Sequence, residues 1–580
     1  MKERRRLIAV LLAMVICISL LAACGGDSSK PGSSGDTSPG SSGDTTTSGG
    51  GSTTTTDNNT NSGGAASPST SKDYEDTALT VGRTPANEAA APLPAPTGAN
   101  VKFADTIDII IDNTSVASLD PYRGGGPAQM WSFNLMFDRL LYYMGSGNYA
   151  PSLATEWHTD DYKTFTFKLR EDVVFHNGEP LKASDVVFTC EYGMNPEHST
   201  NATWGLIESV KALGEYEVEI VLKAVGVDFP YRISQGNIAI VNEKALKDDP
   251  INGMLIGTGA YRLDEFVENN YWTFTRNDNY WSDLAITRKI IMRYVPEISS
   301  RTIMMMNGDS QLCLKVNPDD MELFVGNPDF WIDDHMVNNP TPMHFNVTDP
   351  LLSDINLRLA LASAMDREEI ALVAGGDYYM PAYEDGGAWG YSTEFRNRDI
   401  PLIPEDMDAA KAYLEKSSYN GETIEICATN MVTTARAAEV LQQQFSKLGV
   451  NTEVRLMEGV AMNEYTQWGN NKSQIILTPI AFSANAAAFR NAMYPRATGN
   501  RASFEDPRLT EILDQALVEL DYTKRGELYY EAQEIIAEGV PYVNMWYLLQ
   551  TVVAVKGIGG FNFPGDNLYD FRYIYWQIEG

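Results

Sequence analysis

Between residues 106 and 276 apolar and polar positions follow strand patterns. "TIDIIID" (Thr106–Asp112) is a short apolar run suited to a buried strand, and polar residues and Asp120-Pro121 close it. "KTFTFKLR" sets Phe165, Phe167 and Leu169 on one face, and "EYEVEIVLK" does the same with Tyr216, Val218, Ile220 and Leu222. "YWTFTRN" alternates through Trp272 and Phe274. Further along, the period changes. "ETIEICAT" reads as a strand, and "ARAAEVLQQQFSKLG" then spaces Ala437, Val440, Leu441, Phe445 and Leu448 as one helix face, with Gly449 as its stop signal. "VNTEVRL" returns to a strand. Strand, helix and strand in so short a span form a βαβ unit, which requires parallel pairing. "DREEI" fits a capping box from Asp366 to Glu369, and a helix is expected over Thr523–Glu538, ending at Gly539 before Pro541. The pattern predicts a mixed α/β (α+β) fold in two lobes, the first richer in strand.

The N-terminus is a different kind of sequence. Lys2, Arg4, Arg5 and Arg6 precede an apolar run over Leu7–Ala23, broken by Ser19. That run is short for a spanning helix, which needs roughly 20 apolar residues, and reads as a secretory signal. Its end, Leu21-Ala22-Ala23-Cys24, resembles the lipobox of bacterial lipoproteins, which implies cleavage after residue 23 and a diacylglycerol on the Cys24 thiol. Two acyl chains anchor stably where one does not. From Gly25 to Ser71 the chain is almost wholly Gly, Ser, Thr, Asp, Asn and Pro, and "NEAAAPLPAPTGAN" continues the tether to Asn100. Such a segment has too little apolar surface to offset the entropy of ordering it. The folded part is expected from Val101.

Composition narrows the function. The chain carries a formal charge of −33; without residues 1–23, which hold four basic residues and one acidic, it is −36. So acidic a surface argues against nucleic acid and against electrostatic docking on anionic lipid. Residues 101–580 exceed one hydrophobic core. Of five cysteines, Cys17 lies in the leader and Cys24 is the expected lipid site, which leaves Cys190, Cys313 and Cys427, a set with no disulfide framework or metal spacing. His158, His176, His198, His335 and His344 make no HxH or HExxH pattern. "GTGAY" (Gly257–Tyr261) lacks the third glycine and the helix of a dinucleotide loop. No nucleophile–base constellation appears, and neither an enzyme, a cofactor nor a metal site is expected. His176 is read as a turn residue beside Asn177-Gly178.

Five blocks in order resemble the peptide/nickel class of extracellular solute-binding proteins that feed ABC importers. They are "ASLDPYRGG" (Ala117–Gly125), "PSLATEWHTDDYKTFTFKLREDVVFHNGEPLKASDVVFTCEY" (Pro151–Tyr192), "IGTGAYRL" with "RNDNYW", "DINLRLALASAMDREEIA" (Asp354–Ala371) and "RGELYYEAQEIIAEGVPYVNMW" (Arg525–Trp546). The resemblance implies a two-lobed periplasmic-binding-protein-like fold. Lobe I would span 101–310 with the return 545–580 and an inserted subdomain near 138–257; lobe II would span 311–544. Crossings are expected near Leu312–Val316 and Val543–Leu548. The implied role is a monomeric lipoprotein on the outer face of the cell membrane, in a Gram-positive-type envelope. It would catch a solute between its lobes and pass it to a permease.

The resemblance also points to the ligand. Peptide binders of the class hold the α-amine with an acidic residue in the loop that is here "AFSANAAAFRNAM" (Ala481–Met493), which has no carboxylate. An unpartnered buried ammonium costs several kcal/mol. The loop instead offers Phe482, Asn485 and Arg490. "GDYYMPAYEDGGAWGYST" (Gly376–Thr393) adds Tyr383, Trp389 and Tyr391 as stacking surfaces, and Gln129 and Trp131 follow the Gly124–Gly126 loop. An oligopeptide, an oligosaccharide or another small polar solute fits such a set. The competing class is a lipid-tethered surface hydrolase.

Overall fold

The computed structural model describes residues 95–97, 101–111, 116–145, 147–316, 318–376, 379–382, 394–480, 485–561 and 569–579. All of them belong to one compact unit, residues 67–580. The leader, Cys24 and most of the tether lie outside the described residues.

The alternating segments form the expected strands. Thr164–Leu169 buries Phe165, Phe167 and Leu169, and pairs antiparallel with Glu217–Leu222 in a four-stranded sheet completed by Ala154–His158 and Ile207–Gly214. The apolar run Thr106–Ile111 is buried from Ile107 onward and lies parallel to Lys289–Tyr294. Isoleucines on both faces suit a strand covered on both sides. In the later half, Thr423–Thr429 and Asn451–Met457 pair in parallel around the helix Val432–Leu448, whose Gly449 cap has a φ of +93°. Only glycine adopts that backbone without strain. Asp366 accepts from the Glu369 amide at 2.8 Å, starting the helix Arg367–Gly375.

The last long helix spans Tyr522–Gly539, and its left-handed cap is Val540, with a φ of +44°, rather than the expected glycine. Gly539 serves packing instead, since a Cβ there would lie 2.7 Å from the Phe504 ring. Arg358 secures this end by donating to the carbonyls of Gly539 and Val540.

One eleven-stranded mixed sheet runs through both lobes. Its centre is a pair of long antiparallel strands, Phe330–Phe345 and Tyr542–Val555. At one end Val553 and Ala554 pair with Cys313 and Leu312, which also pair with Thr106–Ile111. At the other, Met343, His344 and Phe345 pair with Ile475–Leu477. Separate cores flank this pair, one built on Ile107, Trp272 and Phe571, the other on Phe345, Ile426 and Phe445; a third lies within 140–240.

The expected crossing at Leu312–Val316 needs correction. Cys313, Val316 and Phe324 pack with Ile110, Met305 and Val553, and Phe330 packs against them. The chain therefore first crosses in Phe330–Phe345. Its register against Tyr542–Val555 slips between Met336 and Pro340 and again between Thr341 and Pro342. Prolines lack the N–H a ladder needs, so the slips fall where two of them interrupt the strand.

"GTGAY" is a packing motif. Cβ atoms on Gly257 and Gly259 would sit inside the backbone of Met136 and Leu135, at the end of the helix Pro127–Met136. The His176 amide donates to the Gly257 carbonyl at 2.8 Å, and its Nε2 lies 3.0 Å from the Gly259 carbonyl. A carbonyl only accepts, so Nε2 carries the proton. Burial lowers His176 to about 4, so it is neutral at pH 7 and pins a turn. Cys190, Cys313 and Cys427 are free and buried, as expected of inert thiols.

Candidate functional site

The crossing strands gather the ends of the loops that the sequence marks for binding. The Ala382 amide donates to the Met545 carbonyl at 3.1 Å, and Ile480 donates to Pro340 at 3.0 Å. Arg396 donates to the Tyr547 hydroxyl at 3.3 Å, its guanidinium 5.6 Å from that ring. The chain thus leaves and rejoins the described structure around Tyr383, Trp389, Tyr391 and Phe482 beside the middle of the crossing pair. Those four candidates lie outside the described residues.

The fold itself occupies three of the other candidates. Gln129 accepts from the Gly126 amide and donates to the Ser118 carbonyl at 2.7 Å, so its amide caps the helix Pro127–Met136. Trp131 is 1% exposed and sits in the first core beside Tyr569. A Trp at that position reads equally as cleft or core from sequence; here the packing takes both ring faces. Arg490 lies 2.6 Å from Asp514 and 3.6 Å above the Tyr494 ring, so its charge is spent within lobe II.

Asn485 belongs to a cavity of about 180 Å³ that both lobes line. Gly147, Tyr149, Trp157 and Asp228 come from residues 140–240, and Glu394, Asn485, Tyr522 and Arg525 from residues 394–525. Glu394 is 8% exposed. It accepts from Asn485 Nδ2 at 3.2 Å, from the Tyr522 hydroxyl and from the Ala486 amide, with the Arg525 charge nearby. Burial raises its pKa, while Arg525 and these donors oppose the rise. Asp228 is held by Arg232 at 2.6 Å. A cavity with satisfied charges and five aromatic rings, Tyr149, Trp157, Tyr162, Tyr522 and Tyr529, can hold polar solute groups.

Sequence reasoning missed Glu394, Tyr522 and Arg525. Glu394 directly follows the "GYST" end of the loop singled out for its aromatics, so a carboxylate at the loop's exit was the available signal.

Comparison with known proteins fits this geometry. The family model for bacterial extracellular solute-binding proteins, family 5 (middle), matches residues 148–500, more than half of the chain. The nickel-binding periplasmic protein of Escherichia coli is 24% identical over 75% of this chain and 87% of its own. The periplasmic oligopeptide-binding protein OppA of Salmonella typhimurium is 24% identical over 83% of this chain and 95% of its own. The ABC transporter substrate-binding protein CtaP of Listeria monocytogenes superposes with a TM-score of 0.74 at 20% identity, covering 82% of this chain and all of that one.

Proposed function

The chain belongs to the family 5 bacterial extracellular solute-binding proteins, and we propose that it captures a short peptide between its lobes and delivers it to an ABC permease. Capture, with no bond made or broken, is the activity of this family. The observation that carries the reading is the pair of crossing strands, Phe330–Phe345 and Tyr542–Val555, with binding-loop ends gathered at their middle. Two long strands allow the lobes to rotate while the sheet stays hydrogen-bonded, which is how a cleft closes on a ligand. In this reading lobe I comprises 101–310 and 545–580, with 138–257 inserted, and lobe II begins within Phe330–Phe345. Asn485 and Glu394 belong to the wall of the cavity. The oligopeptide-binding relative supports a peptide; the nickel-binding relative makes a metal chelate the second ligand to test.

Thermal unfolding of the full-length protein, with tri- to pentapeptides, nickel–histidine and oligosaccharides in turn, tests the reading. Binding at 100 times Kd stabilises the folded state by about 2.7 kcal/mol, so peptides are expected to raise the melting temperature by several degrees. Stabilisation by the chelate or a sugar alone would overturn the peptide assignment.

Anchoring belongs to the same proposal. A diacylglycerol on Cys24 would hold the protein beside its permease, and the tether to Asn100 would give it reach. Protein made in a bacterial host is expected to partition into the detergent phase, and a Cys24→Ser chain into the aqueous phase. Equal partitioning of the two would rule out lipid at Cys24.

A further inference from the structure

The hairpin of Leu141–Gly145 and Asn148–Pro151 belongs to the inserted segment, yet its tip rests on the opposite lobe. Gly147 has a φ of +73°, and a Cβ there would lie 2.7 Å from Tyr522 Cε2 and 2.9 Å from Glu394 Oε1. A larger residue would have to displace the Tyr522 ring and the Glu394 carboxylate on a backbone that favours glycine. Behind the tip, Tyr143 meets Tyr231 edge-on at 5.0 Å and Tyr149 at 5.5 Å, so the hairpin is a stiff aromatic wedge. The receiving surface is equally built: Glu394 accepts from Asn485, the Ala486 amide and the Tyr522 hydroxyl. None of these residues lies in the crossing strands, so the hairpin makes a contact outside the strand pair, at the loop exits marked by Glu394 and Asn485.

The geometry points to a latch. Docking of Gly147 on Glu394 and Tyr522 sets how much of the protein is closed, and these positioning residues tune affinity through lobe geometry. Apparent affinity scales with the fraction of protein in the binding-competent state, so a tenfold loss of that fraction weakens binding about tenfold. The latch rests on the closing-cleft reading of the fold.

The test is the distance between spin labels across the contact, in a chain whose Cys17 and Cys24 are replaced by Ser. Asp160→Cys and Glu527→Cys place the labels at exposed positions on the two sides; the remaining thiols are buried. The solute-free protein is expected to show a short-distance population. Gly147→Leu, from one side, and Tyr522→Ala, from the other, are each expected to reduce it at least threefold with unchanged circular dichroism. Tyr522 is part-exposed, so its truncation keeps the test alive if the glycine variant misfolds. No short population in the parent, or the same population in both variants, would overturn the latch. Loss of the population together with failure of every solute in the thermal screen would leave the latch standing and remove the ligand reading instead.

Discussion

A Gly257→Ala protein is expected to lose about 3 kcal/mol of stability or more, the upper range for overpacking a tight site. The reason is geometric. The new methyl would occupy the position of the Met136 carbonyl oxygen and press on the Phe137 ring. Neither neighbour can yield cheaply. Met136 ends the helix Pro127–Met136, and its carbonyl accepts from the Gly259 amide at 2.9 Å. The Gly257 carbonyl in turn accepts from His176. One methyl therefore strains the joint between the helix Pro127–Met136 and the turn that holds His176. Urea unfolding followed by tryptophan fluorescence measures the loss, and Trp272 and Trp281 report from this lobe. A midpoint within 0.5 kcal/mol of the parent would show that the joint is looser than the packing indicates.

Arg367→Ala is expected to cost about 3 kcal/mol of stability, from truncating a fully buried side chain and losing its hydrogen bonds. Arg367 is fully buried, at 0% exposure. Its Nε donates to the Asn544 carbonyl on the second crossing strand at 3.0 Å, and its Nη1 to Glu405 at 2.9 Å. The Arg367 amide also donates to Glu405. Truncation leaves that carbonyl without its donor and Glu405 without its cation, and opens a cavity the size of the arginine stem. A loss of this size corresponds to a fall in melting temperature of roughly 6–12 °C. Arg367→Lys is expected to recover only part of it, because one ammonium cannot reproduce a fork shared between two partners. Calorimetry checks both, and full stability in Arg367→Ala would contradict the assigned contacts.

Local order was legible wherever period and termination agreed. Phe165, Phe167 and Leu169 alternate and are buried; Leu441, Phe445 and Leu448 follow a helix that stops at Gly449. What sequence concealed depends on contacts between distant residues. Pro340 and Pro342 suggest a loop, yet they sit within a crossing strand that tolerates them by slipping its register. Val540 gives no sign of a left-handed backbone, and the Arg358 that binds its carbonyl comes from a distant helix. The binding residues were hardest to read. Trp131 and Gln129 have the chemistry of a cleft, but one belongs to a core and the other to a helix start. Glu394 attracts no notice in sequence and becomes distinctive only when Asn485, Tyr522 and Gly147 converge on it.

Capture by lobe closure is open to small-angle X-ray scattering of the full-length protein, with and without a peptide that raises its melting temperature. A smaller radius of gyration is expected when the peptide is bound, with an unchanged radius when a non-binding peptide is added. A peptide that stabilises the protein while the radius of gyration stays the same would contradict it.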